Sequence, residues 1–113
     1  MTTAATPASA FRLEHDSLGE VQVPAQALYG AQTQRAISNF QITGRTMHPQ
    51  MIRSIGMVKK ASAYCNNQCG FLDDQRLKWI MEACDEVIAG KLNEWFITDC
   101  IQGGAGTSFN MNA

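Results

Sequence analysis

Two stretches of apolar residues at three- and four-residue steps constrain this chain more than anything else in it. The first runs through Met51, Ile55, Val58, Ser62, Cys65 and Cys69, widened by Ile52 and Ala61. That spacing places side chains on one face of an α-helix. His48-Pro49 opens the stretch, with proline suited to a first helical turn, and Gly70 closes it after about five turns. The second runs through Leu77, Ile80, Met81, Cys84, Val87 and Ile88. Asp73 or Asp74 can cap its start, and Gly90 supplies its stop. Joined through Gly70-Phe71-Leu72, the two helices predict an antiparallel hairpin. Lys59 and Lys60 read as a solvated edge beside the first stripe. Met51, Met57 and Met81 read as packing.

Upstream, Phe11, Leu13 and His15 alternate with Arg12, Glu14 and Asp16, and Val21 and Val23 alternate again before Pro24. With turn chemistry at Asp16-Ser17-Leu18-Gly19 between them, these segments predict a β-hairpin that packs on something larger. Pro24 to Phe40 reads as a short helix followed by a loop, and Thr43-Gly44-Arg45-Thr46 as a break. Trp95-Phe96-Ile97 is an apolar anchor for a core or an interface. Residues 1–10 are expected to be disordered. They lack the basic start and apolar core of a secretory signal, and the arginines of a transit peptide.

A chain of 113 residues is one domain or part of one. Its net charge is −1, and its densest basic cluster is Lys59-Lys60, which gives a nucleic-acid or anionic-membrane partner no electrostatic support. No apolar run approaches the roughly 18–20 residues that span a bilayer. The four cysteines form no C-x-x-C pair. Cys65 and Cys69 share a helix face and could hold a metal or a redox pair; free thiols packed as small hydrophobes are the favoured reading, in a reducing cytoplasm. His15 and His48 have no Asp, Cys or His at ligand spacing and are expected to be exposed or capping.

The segment that asks for a functional account is Gly103-Gly104-Ala105-Gly106-Thr107-Ser108. Three glycines in four residues allow close backbone approach to a ligand, and converging N–H groups can face an anion. A helix beginning near Asn110 would point its positive end at the same place. No lysine follows as in a Walker loop, and the spacing is not a dinucleotide fingerprint. On these grounds alone the segment suits a plain turn as well as an anion site.

The order of residues adds a resemblance. Gln102-Gly103-Gly104-Ala105-Gly106-Thr107-Ser108-Phe109-Asn110-Met111-Asn112 resembles the first signature region of the aspartase/fumarase superfamily. Asp16 to Glu20 with Val23-Pro24 resembles its opening hairpin, Leu28 to Ala36 with Asn39-Phe40 its next segment, and Ala83 to Val87 the helix before the loop. The blocks stand in the right order across residues 11–113.

The resemblance implies a mainly α fold with a short N-terminal β-hairpin: the N-terminal domain of the superfamily's helical-bundle fold, truncated at the start of the central bundle. It implies homotetramers that eliminate a group beside a carboxylate and release fumarate. The threonine matching Thr107 binds a substrate carboxylate there, with Ser108, Gly106 and Ala105 shaping the subsite. Asn110 is either a further ligand or a helix cap. Fumarases usually carry serine where Ala105 stands, and aspartases alanine, so the resemblance favours an ammonia-lyase acting on L-aspartate over a fumarate hydratase. A non-catalytic helical module is the third reading. The base, a serine on a mobile loop, is expected downstream, with no catalytic residue, metal or cofactor in this chain. Arg35, in the matched segment, suits either an active-site or subunit contact or an internal ion pair.

Overall fold

The computed structural model describes residues 10–113. The expectation of a disordered N-terminus falls on residues 1–9, outside the described residues, and on Ala10, whose carbonyl accepts the Ala25 N–H at 3.0 Å.

Strands β1 (Phe11–Asp16) and β2 (Gly19–Pro24) pair antiparallel, with Phe11 opposite Pro24 and Asp16 opposite Gly19. The turn between them is held by the Leu18 N–H donating to Asp16 Oδ1 at 2.9 Å, and Gly19 takes φ +113°. The inner face of the hairpin carries Val21 and the fully buried Val23 beside the polar residues of β1, while Leu13 faces outward. Arg12 makes that arrangement work. Its guanidinium donates to the carbonyls of Pro24, Ala25, Ala27 and Tyr29 at 2.6–3.2 Å, and so folds the following turn around itself.

That turn precedes helix α1 (Ala31–Asn39), reversing the expected order of helix then loop between Pro24 and Phe40. Arg12 draws residues 24–29 into a turn because it supplies donors to four of the carbonyls there. Val23, Ala27 and Tyr29 form one core cluster, joined by Val21, Ile37, Trp95 and Ile97.

Helices α2 (Pro49–Gln68) and α3 (Asp74–Ile88) form the expected antiparallel hairpin. His48 caps α2 through Nδ1, which accepts the Gln50 N–H at 3.0 Å, and Asp73 caps α3, accepting the Arg76 N–H at 2.8 Å. Both helices end on a glycine with positive φ. The Phe71 N–H reaches back to Asn66 O, and the Lys91 N–H to Glu86 O, in the Schellman pattern.

The buried face of α2 differs from the expected stripe. Ile52, Gly56 and Ala63 are buried, whereas Met51, Met57, Val58, Ala61, Ser62, Cys65 and Cys69 are exposed. The helix presents its small residues to α3: a Cβ on Gly56 would lie 3.0 Å from Val87 Cγ1 and 3.1 Å from Ile88 Cγ1. Close approach of the two backbones decides the face, and small residues carry little hydropathic signal. Lys60, read as a solvated edge, pairs with Asp85 across this seam. On α3 the expected face holds except at Ile80, which is exposed: Cys84 is buried and Leu77, Met81, Val87 and Ile88 are half-buried.

A 3₁₀ turn (Asn93–Trp95) leads into an irregular stretch and then α4 (Thr107–Asn112). The Trp95-Phe96 anchor packs as expected. The rings of Tyr29 and Trp95 lie 6.3 Å apart, those of Phe96 and Phe109 6.0 Å apart, and Ile52, Phe96 and Phe109 form a second core cluster that joins the helical hairpin to the rest. The radius of gyration is 16.6 Å, against about 13 Å for a self-contained globule of this length. Among the described residues, no helix is long and apolar enough to cross a membrane.

Candidate functional site

The glycine-rich loop sits at a corner built by polar side chains. Asp99, buried beside Thr98 in a mostly apolar run, organises it. One carboxylate oxygen accepts the N–H groups of Ile42, Thr43 and Gly44 at 3.1, 2.7 and 3.0 Å. The other accepts the Thr43 hydroxyl at 2.8 Å and the Ile101 N–H at 2.9 Å. Five donors favour the charged form, so the carboxyl is held well below the ordinary carboxylate range, with the Ile101 N–H the largest cause. A bridge from Thr46 to Asp99 and the Cys100 N–H on Arg45 O at 2.8 Å complete the junction between these distant segments.

From this corner the chain turns through Gly103 to Gly106, closed by the Gly106 N–H on Gly103 O at 2.9 Å. Only one of the three glycines is required by conformation. Gly106 takes φ +73° and ψ +16°, the left-handed region, whereas a Cβ on Gly103 would meet only Phe40 at 3.8 Å and one on Gly104 would meet nothing.

Helix α4 starts at Thr107, three residues before the expected Asn110. Asn110 is therefore not its cap. It lies inside the helix with an exposed side chain, and its carbonyl accepts Lys59 Nζ at 3.2 Å. Gly106 at the N-cap has no side chain to offer, and the capping bond comes from Gln102, whose Oε1 accepts the Phe109 N–H at 2.7 Å. The far end of α4 is tied by Asn112. Its amide donates to Trp95 O at 2.9 Å and accepts the Ile97 N–H at 3.1 Å.

A cleft of about 210 Å³ opens between this corner, α1 and the tip of the β-hairpin. Thr107, Ser108 and Gly103 line one side; Gln32, Arg35, Asn39 and Phe40, with Leu18, line the other. Of the five residues expected to form a site, Thr107 and Ser108 meet there, Thr107 exposed and Ser108 buried. Ala105, Gly106 and Asn110 do not line it. Arg35 makes the internal ion pair considered for it, forking onto both Asp16 oxygens at 2.8 and 3.0 Å and donating to Gly19 O at 3.1 Å. Each partner favours the other's charged form: the Arg35 bond lowers the Asp16 carboxyl, and Asp16 raises the Arg35 guanidinium. The same arginine forms part of the cleft wall. A second cleft, of about 260 Å³, opens beside Asp99 and Arg45, but the Asp99 carboxylate there is already saturated by its five donors.

His15 and His48 are exposed, His48 in its capping role, and no group of three or more His, Cys, Asp or Glu able to hold a metal exists among the described residues. All four cysteines are free thiols. Cys84 is buried as expected, and burial pushes its thiol up. Cys65 and Cys69 are exposed, because they follow the outer face of α2.

Sequence reading missed Asp99, Gln102, Asn112 and Arg12. The one usable signal was Asp99 in the run Ile97-Thr98-Asp99-Cys100-Ile101, since a carboxylate among apolar residues must be satisfied by donors from elsewhere.

Residues 19–113 match the sequence family described as Lyase. An aspartate ammonia-lyase from a Bacillus species is 55% identical over 102 residues, covering 90% of this chain and 22% of that protein. A class II fumarate hydratase of Halobacterium salinarum is 53% identical over 103 residues, covering 91% and 22%. The backbone superposes on a Brucella melitensis fumarate lyase:delta crystallin with TM-score 0.88 at 45% identity, covering 91% of this chain and 23% of that one. A class II fumarase from Schistosoma mansoni gives TM-score 0.86 at 38% identity, covering 90% and 22%. The chain thus spans 22% of the length of each of those two curated relatives. With residue identity and backbone agreeing over some 90% of its length, this chain belongs to the Lyase family, within the aspartase/fumarase superfamily.

Proposed function

We propose that this chain is the N-terminal region, residues 11–113, of an ammonia-lyase that converts L-aspartate to fumarate and ammonia, and that it ends where the central helical bundle begins. The observation that carries the reading is the cleft lined by Thr107, Ser108 and Gly103 on one side and by Gln32 and Arg35 on the other. That lining suits a small dicarboxylate.

In this reaction a base takes the proton from C3 of L-aspartate, beside the side-chain carboxylate. The electron pair moves onto that carboxylate as an aci-carboxylate dianion. Its return forms the double bond and expels ammonia from C2, leaving fumarate. Charge therefore builds on carboxylate oxygens, and donors fixed toward those oxygens before reaction lower the barrier. Thr107 and Ser108 are this chain's donors, Gly106 and Ala105 supply the backbone that sets them, and Asn110 is the peripheral member. The base and the remaining carboxylate ligands belong to other parts of a cytoplasmic homotetramer, so the 113-residue chain alone is inactive.

Ala105 favours the ammonia-lyase by resemblance alone, since fumarases usually carry serine at that position of the glycine loop and aspartases alanine; its side chain does not line the cleft. A fumarate hydratase is the second reading, supported by the 53% identity to the Halobacterium enzyme. The complete protein incubated with L-aspartate or with L-malate, followed by fumarate absorbance, separates the two. Turnover of aspartate is expected, and turnover of malate alone overturns the ammonia-lyase reading. Fumarate release from aspartate by the isolated chain would contradict the division of labour.

A further inference from the structure

The first turn of α4 carries Thr107 and Ser108, and the Asn110 N–H on Gly106 O at 3.1 Å closes it, yet no side chain at the N-cap holds it. Its N-cap is a glycine without a side-chain bond, and the Phe109 N–H, third in the helix, has no carbonyl of its own helix to reach. Gln102 lies on the far side of the glycine turn and bridges the gap. Its Oε1 accepts from the Phe109 N–H at 2.7 Å, and its Nε2 donates to Asp99 O at 3.0 Å. The two partners fix the orientation of the amide, since one is a donor and the other an acceptor. Asp99 is in turn locked to residues 42–44 through its carboxylate. Phe109 is buried against Phe96. An unbroken chain of bonds and packing thus runs from the 42–44 loop through Asp99 and Gln102 to the helix start.

We propose that Gln102 is a positioning residue: its neutral amide carries the register of the Asp99 corner across the glycine turn and so fixes where Thr107 and Ser108 stand. A side-chain amide is suited to this because it offers a donor and an acceptor together without placing a charge beside a dianion's site. The functional half of this inference rests on the carboxylate reading above.

The test is amide hydrogen exchange, read by NMR, on the 113-residue chain and two variants. Gln102→Met keeps the length and bulk of the side chain and removes both polar groups. Gln102→Glu keeps an acceptor for Phe109 and loses the donor to Asp99. The Met variant is expected to lose about tenfold of the Phe109 protection, since a buried donor is left unpaired, and to shift the Thr107 and Ser108 amide resonances, with α3 exchange unchanged as the control for folding. The Glu variant is expected to recover most of the Phe109 protection while the Thr107 and Ser108 resonances stay shifted, because the tie to Asp99 is lost. A side chain that only fills space would give the opposite order, with Met tolerated and Glu disruptive, and that order overturns the proposal. So does a Phe109 amide indifferent to both substitutions. The aspartate–malate assay decides the carboxylate reading separately: a negative result there leaves a Met loss with Glu rescue standing as support for the clip.

Discussion

The helical hairpin α2–α3 and the glycine corner are held by different physics. The hairpin is regular: its backbone satisfies itself, its ends are capped within a few residues, and its two helices meet where Gly56 lets Val87 and Ile88 come close. The corner has almost no regular structure. Its order comes from side chains bonded to backbone groups across long stretches of sequence, as Asp99 binds residues 42–44 and Asn112 binds residues 95 and 97. The hairpin leaves large side chains exposed, Phe71 at 84% and Trp79 at 60%, while the corner brings Thr107 and Ser108 to the cleft. Regularity gives the hairpin its shape, and polar specificity gives the corner a fixed arrangement of donors, which is what a binding site requires.

The sharpest way to break this contrast is at the seam. Phe96 is 4% exposed and packs with Ile52 of the hairpin and Phe109 of the corner. Phe96→Ala should cost about 3–5 kcal/mol in urea denaturation. An unchanged midpoint would mean that the two regions are not joined there. Within the hairpin, Gly56→Val should cost about 1–3 kcal/mol by overpacking. Val87 and Ile88, branched and restricted in rotamer on a helix, have little room to yield. A stabilised variant would show that the backbones need not be so close.

Acid should act on the corner through Asp99. Its carboxyl is held below the ordinary value in the folded chain, so its contribution is present above about pH 4, the unfolded carboxylate range, and is lost as pH falls toward the folded value. Asp16 and Asp73 are lowered as well, by Arg35 and by the Arg76 N–H, and titrate in the same direction. Thermal melts should fall on acidification below pH 4, and less steeply in Asp99→Asn. An acid limb of equal slope in both proteins would remove Asp99 from its central place. The smallest expected effect on stability is that of Thr107→Val, which should stay within about 0.5 kcal/mol because the side chain is exposed. A large loss would make Thr107 structural.

The same contrast explains what could be read in advance. Helix periods, Pro49, Asp73, Gly70 and Gly90 are local signals, and they placed the hairpin's elements. The buried face of α2 was not legible, because Gly56 and Ala63 mark it by small size while Met51 and Val58 advertise the opposite face. In the corner, Thr107 and Ser108 were legible through resemblance to a family signature. Their supports were not: Gln102 and Asp99 act through partners on other segments, and no local pattern announces a bond between residues 99 and 43. The start of α4 was misplaced for the same reason, since its cap is the side chain of Gln102 and not a residue at the helix start.

The central claim is that the corner holds Thr107 toward a substrate carboxylate. Its most direct test is fumarate release from L-aspartate by the complete protein and by its Thr107→Val variant. Loss of a donor aimed at developing charge predicts a fall of about 10²–10³ in kcat with the melting temperature unchanged. Wild-type turnover in the variant would contradict the claim.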